Sequence, residues 1–317
     1  MAAKEKFLIT EIVPHFFVWE LKKMGFDVDE YAEISKEDCL KIIDRYSGLY
    51  IRGRLKAGKD LLEKAVCLQY IVRPGSGLDI IDMEIAQAKN IHVFNSPEGN
   101  RDSLGEFTVG ALISLLRKIP QANDQIKKGI FDRNVNTGTD LMSKTVGIIG
   151  FGNMGSAFAK RLSAFGVRIL AYDKFKKNFA PTGVEEVSLQ VLMNESDIIS
   201  FHIPYNTENH YFFNETFLQA VKKPFYLINT SRGKVANTRV IVNGLQLGKI
   251  RGAILDVFEN EDFNNLTPEQ KDLLDYLANS GNVVMTPHIA GKTHESEMRI
   301  HQILIEKIKQ VKSDKKD

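Results

Sequence analysis

The chain has 317 residues, 43% of them hydrophobic and 26% charged. That composition belongs to folded globular proteins and excludes a disordered chain, and the length suits two domains. Forty-two Lys and Arg against 40 Asp and Glu leave a formal charge of +2, too small an excess to point to nucleic acid or an anionic membrane as partner. The most apolar run, 107–116, is about half of what crosses a bilayer. The opening MAAKEKFLIT has no long apolar stretch, so no secretory signal is expected. Cys39 and Cys67 stand far apart in no metal or redox spacing. They read as reduced thiols of a cytoplasmic protein without a metal site.

In chain order, FLIT (7–10) reads as a strand and 16–25 as a helix closing on Gly25. GLYIRG (48–53) is a second strand, LQYIVRPGSG (68–77) a strand running into a loop, and IHVFNSPEGN (91–100) ends the series. Strands separated by helical patterns predict a parallel sheet of βαβ units. From Ser103 to about residue 128, apolar residues at helical spacing predict one long helix. A polar arm, 130–144, follows it. A second series opens with TVGIIGFG and continues through RILAYD (168–173), DIISFHI (197–203), FYLINTS (225–231), GAILDVF (252–258) and NVVMTPH (282–288). About six strands make one complete doubly wound sheet. A last helix is expected over 294–312, with KSDKKD as a solvated end. The predicted class is α/β, with two doubly wound parallel-sheet domains.

Gly150-Phe151-Gly152-Asn153-Met154-Gly155 follows a buried strand and opens a helix. The first glycine permits a tight turn, the second lets backbone approach a pyrophosphate, and the third lets helix meet strand. The helix N-terminus then offers N–H groups and a positive dipole end to phosphates. Asp173 ends the next strand, eighteen residues past Gly155. An acid there accepts hydrogen bonds from a ribose 2′-OH and repels a 2′-phosphate, favouring NAD over NADP, although Lys174, Lys176 and Lys177 soften the preference.

Three further strand ends carry chemistry. NTSRG places Arg232 where open α/β sheets bind ligands, and its guanidinium can hold a carboxylate through two parallel hydrogen bonds. TPHIAG puts His288 past a strand end, and DVFENED delivers Asp256 and Glu261. Together these are parts for hydride transfer at a 2-hydroxy or 2-oxo acid. His288 would take the hydroxyl proton, Glu261 would stabilise the protonated imidazole and raise its pKa, and Arg232 would orient the carboxylate. A phosphorylated substrate needs further cations, and Arg52 and Arg54 in YIRGR and Arg73 in IVRPGSG stand at predicted strand ends or loops.

The set GFGNMG, Asp173, HIP, NTSRG, LDVFENE and TPHIAG resembles the D-isomer-specific 2-hydroxyacid dehydrogenase family along nearly the whole chain. RPGSGLDIID, SPEGN and KTVGIIGFG look most like its short-type phosphoglycerate dehydrogenase branch, with no further residues for a serine-sensing domain. The resemblance implies Arg232, Glu261 and His288 as catalytic residues. It implies NAD contacts at Gly150, Gly152, Asn153, Met154, Gly155, Asp173, Ser76, His202, Ile203, Pro204, Thr230, Ser231, Gly291, and Asp256 near the nicotinamide. It implies substrate contacts at Arg52, Arg54, Arg73, Ser76 and Gly77, with Arg133 reaching across from a neighbouring subunit. Residues 1–101 with 293–317 would form the substrate domain, of flavodoxin-like type. A Rossmann NAD domain over 102–292 would be inserted in it, with a dimerisation helix and arm at 104–144, and a hinge would close the two around the substrate.

The implied reaction is NAD-dependent oxidation of D-3-phosphoglycerate to 3-phosphohydroxypyruvate, the entry to serine synthesis, in a cytoplasmic homodimer. A glyoxylate or hydroxypyruvate reductase, or an NAD-sensing binding protein built like the corepressors of this architecture, are the alternatives. The chain departs from the family pattern at Arg101 and Asp102, at Asp262-Phe263 after Glu261, and at Lys292 after TPHIAG. Those departures bear on the identity of the substrate.

Overall fold

A computed structural model describes residues 4–314; the last three residues of the charged tail lie outside them. The chain divides into two compact units: residues up to Asn100 together with those from Thr293 on, and Arg101–Lys292.

The first unit holds a five-stranded sheet of β1 (Lys6–Ile9), β2 (Asp27–Glu30), β3 (Gly48–Tyr50), β4 (Tyr70–Val72) and β5 (His92–Phe94). They lie in the order β2-β1-β3-β4-β5 with every neighbouring pair parallel, the flavodoxin-like arrangement. Alternate residues serve opposite faces of the sheet. Leu8, Leu49 and Ile71 enter one core with Ile43, Leu61 and Leu62. Phe7, Ile9, Tyr50, Tyr70, Val72 and Phe94 enter the other with Phe17. The final helix, His294–Asp314, completes this second core by burying Ile300, Leu304, Ile305 and Ile308. Side chains of this size each contribute roughly 1.5–3 kcal/mol on burial, so the last helix is integral to the unit.

The second unit holds β6 (Thr145–Ile149), β7 (Arg168–Tyr172), β8 (Val184–Glu186), β9 (Ile198–Phe201), β10 (Phe225–Asn229), β11 (Ile250–Leu255) and β12 (Val283–Met285). The order is β12-β11-β10-β9-β6-β7-β8, all parallel. The chain therefore winds one way from β6 to β8 and the other way from β9 to β12. The switch point between β6 and β9 is where such sheets bind ligands, at the carboxyl ends of the strands.

Three elements differ from the sequence reading. Two strands were not anticipated, β2 (DVDE) and β8 (VEE). Both are short, acidic edge strands with little apolar alternation to reveal them. The single helix predicted from 103 to about 128 is instead two, Pro97–Leu116 and Ile119–Lys127. Lys118 between them is left-handed at φ 53°, and Pro120, which lacks an N–H, fits only the first turn of a new helix. Pro97 likewise starts the first helix, so SPEGN is a helix opening rather than a strand end. Among the described residues, no helix is long and apolar enough to cross a membrane.

Candidate active site

After β6 the chain turns sharply at Gly150, whose φ of +91° side-chain-bearing residues rarely adopt. Its N–H donates to the Tyr172 carbonyl at 2.8 Å. The helix Asn153–Leu162 follows with Gly152 as its N-cap. A Cβ on Gly155 would lie 2.1 Å from the Gly150 carbonyl oxygen, whereas one on Gly152 would meet nothing within 4 Å. The turn is thus tight where helix meets strand and open where a ligand would approach. Asn153 and Met154 occupy the first helical turn, whose N–H groups have no acceptor within the helix. Asp173, just past β7, accepts from Phe151 N at 2.9 Å, Phe175 N at 3.0 Å and Lys176 N at 3.2 Å. A carboxylate accepts about four hydrogen bonds, so one position is left for a ribose hydroxyl. Two polar atoms just beyond strand ends, His202 Nδ1 and Thr230 Oγ1, are buried with no partner. An open glycine turn, an acid at the next strand end and unpartnered buried polar atoms fit a dinucleotide.

The glycine geometry has a direct consequence. G155A should weaken NADH binding more than tenfold and lower unfolding stability by ~1–3 kcal/mol, the usual cost of overpacking; fluorescence titration and urea unfolding read the two effects.

His202 sits at the switch point, its N–H donating to the Ile149 carbonyl at 2.8 Å and its Nε2 meeting Ser200 Oγ at 2.8 Å. The residue is partly exposed, but its ring Nδ1 is sealed off. Burial pushes its pKa down to about 3. The unfolded chain then binds a proton near pH 6.5 that the folded chain refuses. Stability from this group is complete above that pH and falls by up to ~1.4 kcal/mol per unit below it. H202N should flatten that part of the decline in urea unfolding between pH 7 and 4.5.

Arg232 is set by a local turn. Asn229 at the end of β10 accepts from Ser231 N at 3.1 Å and Ser231 Oγ at 2.8 Å, and its amide donates to the Arg232 carbonyl at 3.0 Å. The next residue, Gly233, lies so close to Phe258 that a Cβ there would sit 1.9 Å from the Phe258 carbonyl. The NTSRG turn is thereby pressed onto the loop that carries Glu261. Glu261 meets His288 Nδ1 with both carboxylate oxygens at 3.0 Å. Burial raises the Glu261 pKa, but the His288 hydrogen bond and the nearby charges of His288 and Arg232 outweigh it and hold the carboxyl below its usual range. With Nδ1 engaged, the imidazole keeps Nε2 for a substrate oxygen.

Asp256, at the end of β11, is 1% exposed. It accepts from Thr286 Oγ1 at 2.6 Å, Ile289 N at 2.9 Å and Ala290 N at 2.8 Å, and its carbonyl accepts from His288 N at 2.8 Å. Its carboxylate is held by the His288 loop, which also carries Gly291. His288 adopts φ 55°, a left-handed conformation that this loop maintains. Asn229, Thr286 and Asp256 thus brace the turn that carries Arg232 and the loop that carries His288 through hydrogen bonds. The sequence marked only Asp256 of the three, since Asn and Thr at strand ends carry no distinctive signal.

In the first unit, Ser76 and Gly77 lie in the loop after β4, tied down by Asn95 Nδ2 donating to the Ser76 carbonyl at 2.9 Å. Arg73 donates to the Pro74 carbonyl. Arg54 donates to the carbonyls of Thr10, Ala32 and Ile34, a structural clasp. Arg52 is gripped by Glu297, its two terminal nitrogens 2.9 and 2.7 Å from the two carboxylate oxygens. Glu297 was not singled out in the sequence. In the second unit, Arg133 is exposed on the arm, Lys292 is exposed, and Arg101 Nη1 lies 3.5 Å from Asn153 Oδ1.

Residues 109–290 match the profile of the D-isomer specific 2-hydroxyacid dehydrogenase NAD-binding domain. The chain is 35% identical to hydroxypyruvate reductase of Thermotoga maritima over 87% of this chain and 88% of that one. It is 34% identical to D-3-phosphoglycerate dehydrogenase of Methanocaldococcus jannaschii over 96% of this chain, but spans only 57% of that protein. Among solved structures, D-lactate dehydrogenase of Aquifex aeolicus, complexed with NAD and lactic acid, superimposes with a TM-score of 0.85 at 29% identity, covering 98% of this chain and 97% of that one.

Proposed function

Because this chain belongs to the D-isomer specific 2-hydroxyacid dehydrogenase family and carries its NAD-binding domain, we propose that Arg232, His288 and Glu261 interconvert a D-2-hydroxy acid and its 2-oxo acid. The observation that carries the assignment is the Glu261–His288 pair at 3.0 Å beside the NTSRG turn, in the same unit as the glycine turn. Bound NAD supplies the hydride acceptor for the substrate's C2 carbon. Arg232 binds the substrate carboxylate and orients it. His288 Nε2 takes the hydroxyl proton in oxidation and returns it in reduction. Glu261, ionised at neutral pH, holds the imidazole and faces the positive charge that forms on it.

The likeness to hydroxypyruvate and glyoxylate reductases over nearly their whole length favours a short unphosphorylated acid such as hydroxypyruvate or glyoxylate. The phosphorylated reading, 3-phosphoglycerate to 3-phosphohydroxypyruvate, draws support from relatives of that name. A homodimer is supported by large apolar side chains exposed along 119–142, among them Ile126, Ile130, Phe131 and Met142. Steady-state NADH oxidation with hydroxypyruvate, glyoxylate and 3-phosphohydroxypyruvate tests the reading. Turnover of the first two is expected, and no turnover of any 2-oxo acid would overturn it.

A further inference from the structure

We infer that this chain selects NAD(H) over NADP(H) because Lys174 and Lys176, which flank its ribose-facing acid in sequence, are committed to partners within the protein. The inference rests on the reading above that NAD exchanges hydride with the substrate, and concerns which coenzyme is taken. Every residue it uses belongs to the Arg101–Lys292 unit.

An acid at the end of the second strand of such a fold meets a ribose 2′-OH, and a cation nearby is what admits a 2′-phosphate instead. This sequence supplies both, with Asp173 at the end of β7 and lysines at 174, 176 and 177. The choice of coenzyme therefore turns on where the ammonium groups are engaged.

Lys176 Nζ donates to the Phe151 carbonyl at 2.8 Å, inside the glycine turn. Phe151 N donates to Asp173 at 2.9 Å, and Lys176 N donates to the same carboxylate at 3.2 Å. Both backbone groups of Phe151 are thus held by the segment after β7, and the Phe151 and Phe179 rings pack 5.1 Å apart. The peptide unit joining Phe151 to Gly152 is planar. A fixed Phe151 carbonyl therefore also fixes the direction of the Gly152 N–H, on the residue whose side is open to a ligand. Lys176 is in this way a positioning residue for either coenzyme, with its charge turned to the protein.

Lys174 Nζ lies 2.6 Å from Glu208 Oε2, on the loop that follows β9. The two side chains are 54% and 64% exposed, so the pair is a weak restraint taken alone. A 2′-phosphate calling on Lys174 must draw it off Glu208, and it still meets Asp173 as a like charge. A 2′-hydroxyl needs neither step and takes the acceptor position that Asp173 has left.

Fluorescence titration gives the Kd for NADH and for NADPH with no 2-oxo acid present, so a failure of the hydride-transfer reading would not disturb the test. Wild type should bind NADH at least about tenfold tighter than NADPH. E208Q, a change at an exposed side chain, frees Lys174 and should narrow that preference about three- to fivefold. K174M/E208Q should restore it, because the freed ammonium is gone. K176M should weaken both coenzymes by a similar factor, about three- to tenfold, and leave their ratio unchanged. A wild type that binds the two alike, through Lys177 or otherwise, overturns the inference. So does an E208Q with unchanged preference, or a K174M/E208Q that fails to restore it. Selective loss of NADPH binding in K176M would make Lys176 a 2′-phosphate ligand and overturn it equally. Should K176M not fold, the E208Q comparison decides.

Discussion

H288Q is expected to lower kcat for NADH-dependent reduction by about 10³-fold while leaving the Kd for NADH within about twofold of wild type. Proton transfer by a positioned side chain contributes typically 10²–10⁴-fold, and the glutamine amide cannot carry a proton at neutral pH. The NADH affinity stays because the glycine turn and Asp173 belong to other strand ends. Both Glu261 carboxylate oxygens face His288 Nδ1, so E261Q should lose less, about 10–10²-fold in kcat with KM little changed. The double variant decides between a coupled pair and two independent groups. If Glu261 works through His288, H288Q/E261Q is no slower than H288Q alone, because nothing remains for Glu261 to position. Multiplying losses would assign Glu261 its own contact with the reacting atoms. Stopped-flow single turnovers, which separate chemistry from product release, are the appropriate measurement.

The parts of the molecule that were legible in the sequence are those whose physics is local. The central strands of both sheets stood out as apolar runs bounded by turn residues, and GFGNMG stood out because a tight turn, an open approach and a close helix each require glycine at a set spacing. Strand ends carrying Arg232, Glu261 and His288 were legible because parallel sheets place their chemistry there. What was not legible depends on distant partners. DVDE and VEE look like loops until a neighbouring strand pairs with them. The helix over 103–128 looked continuous because its apolar spacing carries across Lys118, and only the left-handed turn there, followed by Pro120, divides it. The pairing of Arg52 with Glu297 was hidden because the two lie 245 residues apart. The hold of Asp256 on the His288 loop was hidden because nothing in DVFENE shows that the backbone of 289–290 returns to it.

That last case gives an experiment with a sharp outcome. D256N should lower kcat about 10²-fold and stability by ~1–3 kcal/mol, with the Kd for NADH within about twofold of wild type. The carboxylate receives the hydroxyl of Thr286 and the N–H of Ile289 on one oxygen and the N–H of Ala290 on the other. An asparagine has one oxygen, so its NH2 group must face a backbone N–H in a site that is 1% exposed. One hydrogen bond is lost and a buried donor is left unmatched, which costs ~1–3 kcal/mol. His288 itself is held at φ 55°, a conformation disfavoured by ~1–2 kcal/mol for a residue with a side chain. Its N–H bond to the Asp256 carbonyl and the two following N–H bonds to the carboxylate oppose that cost. With one of them gone, the loop relaxes and the imidazole moves off Glu261, and a displacement near 1 Å is enough for the ~10²-fold loss. Crystals of D256N should show the His288–Glu261 distance lengthened. A rise of tenfold or more in the NADH Kd with kcat nearly intact would instead make Asp256 a direct contact of the nicotinamide.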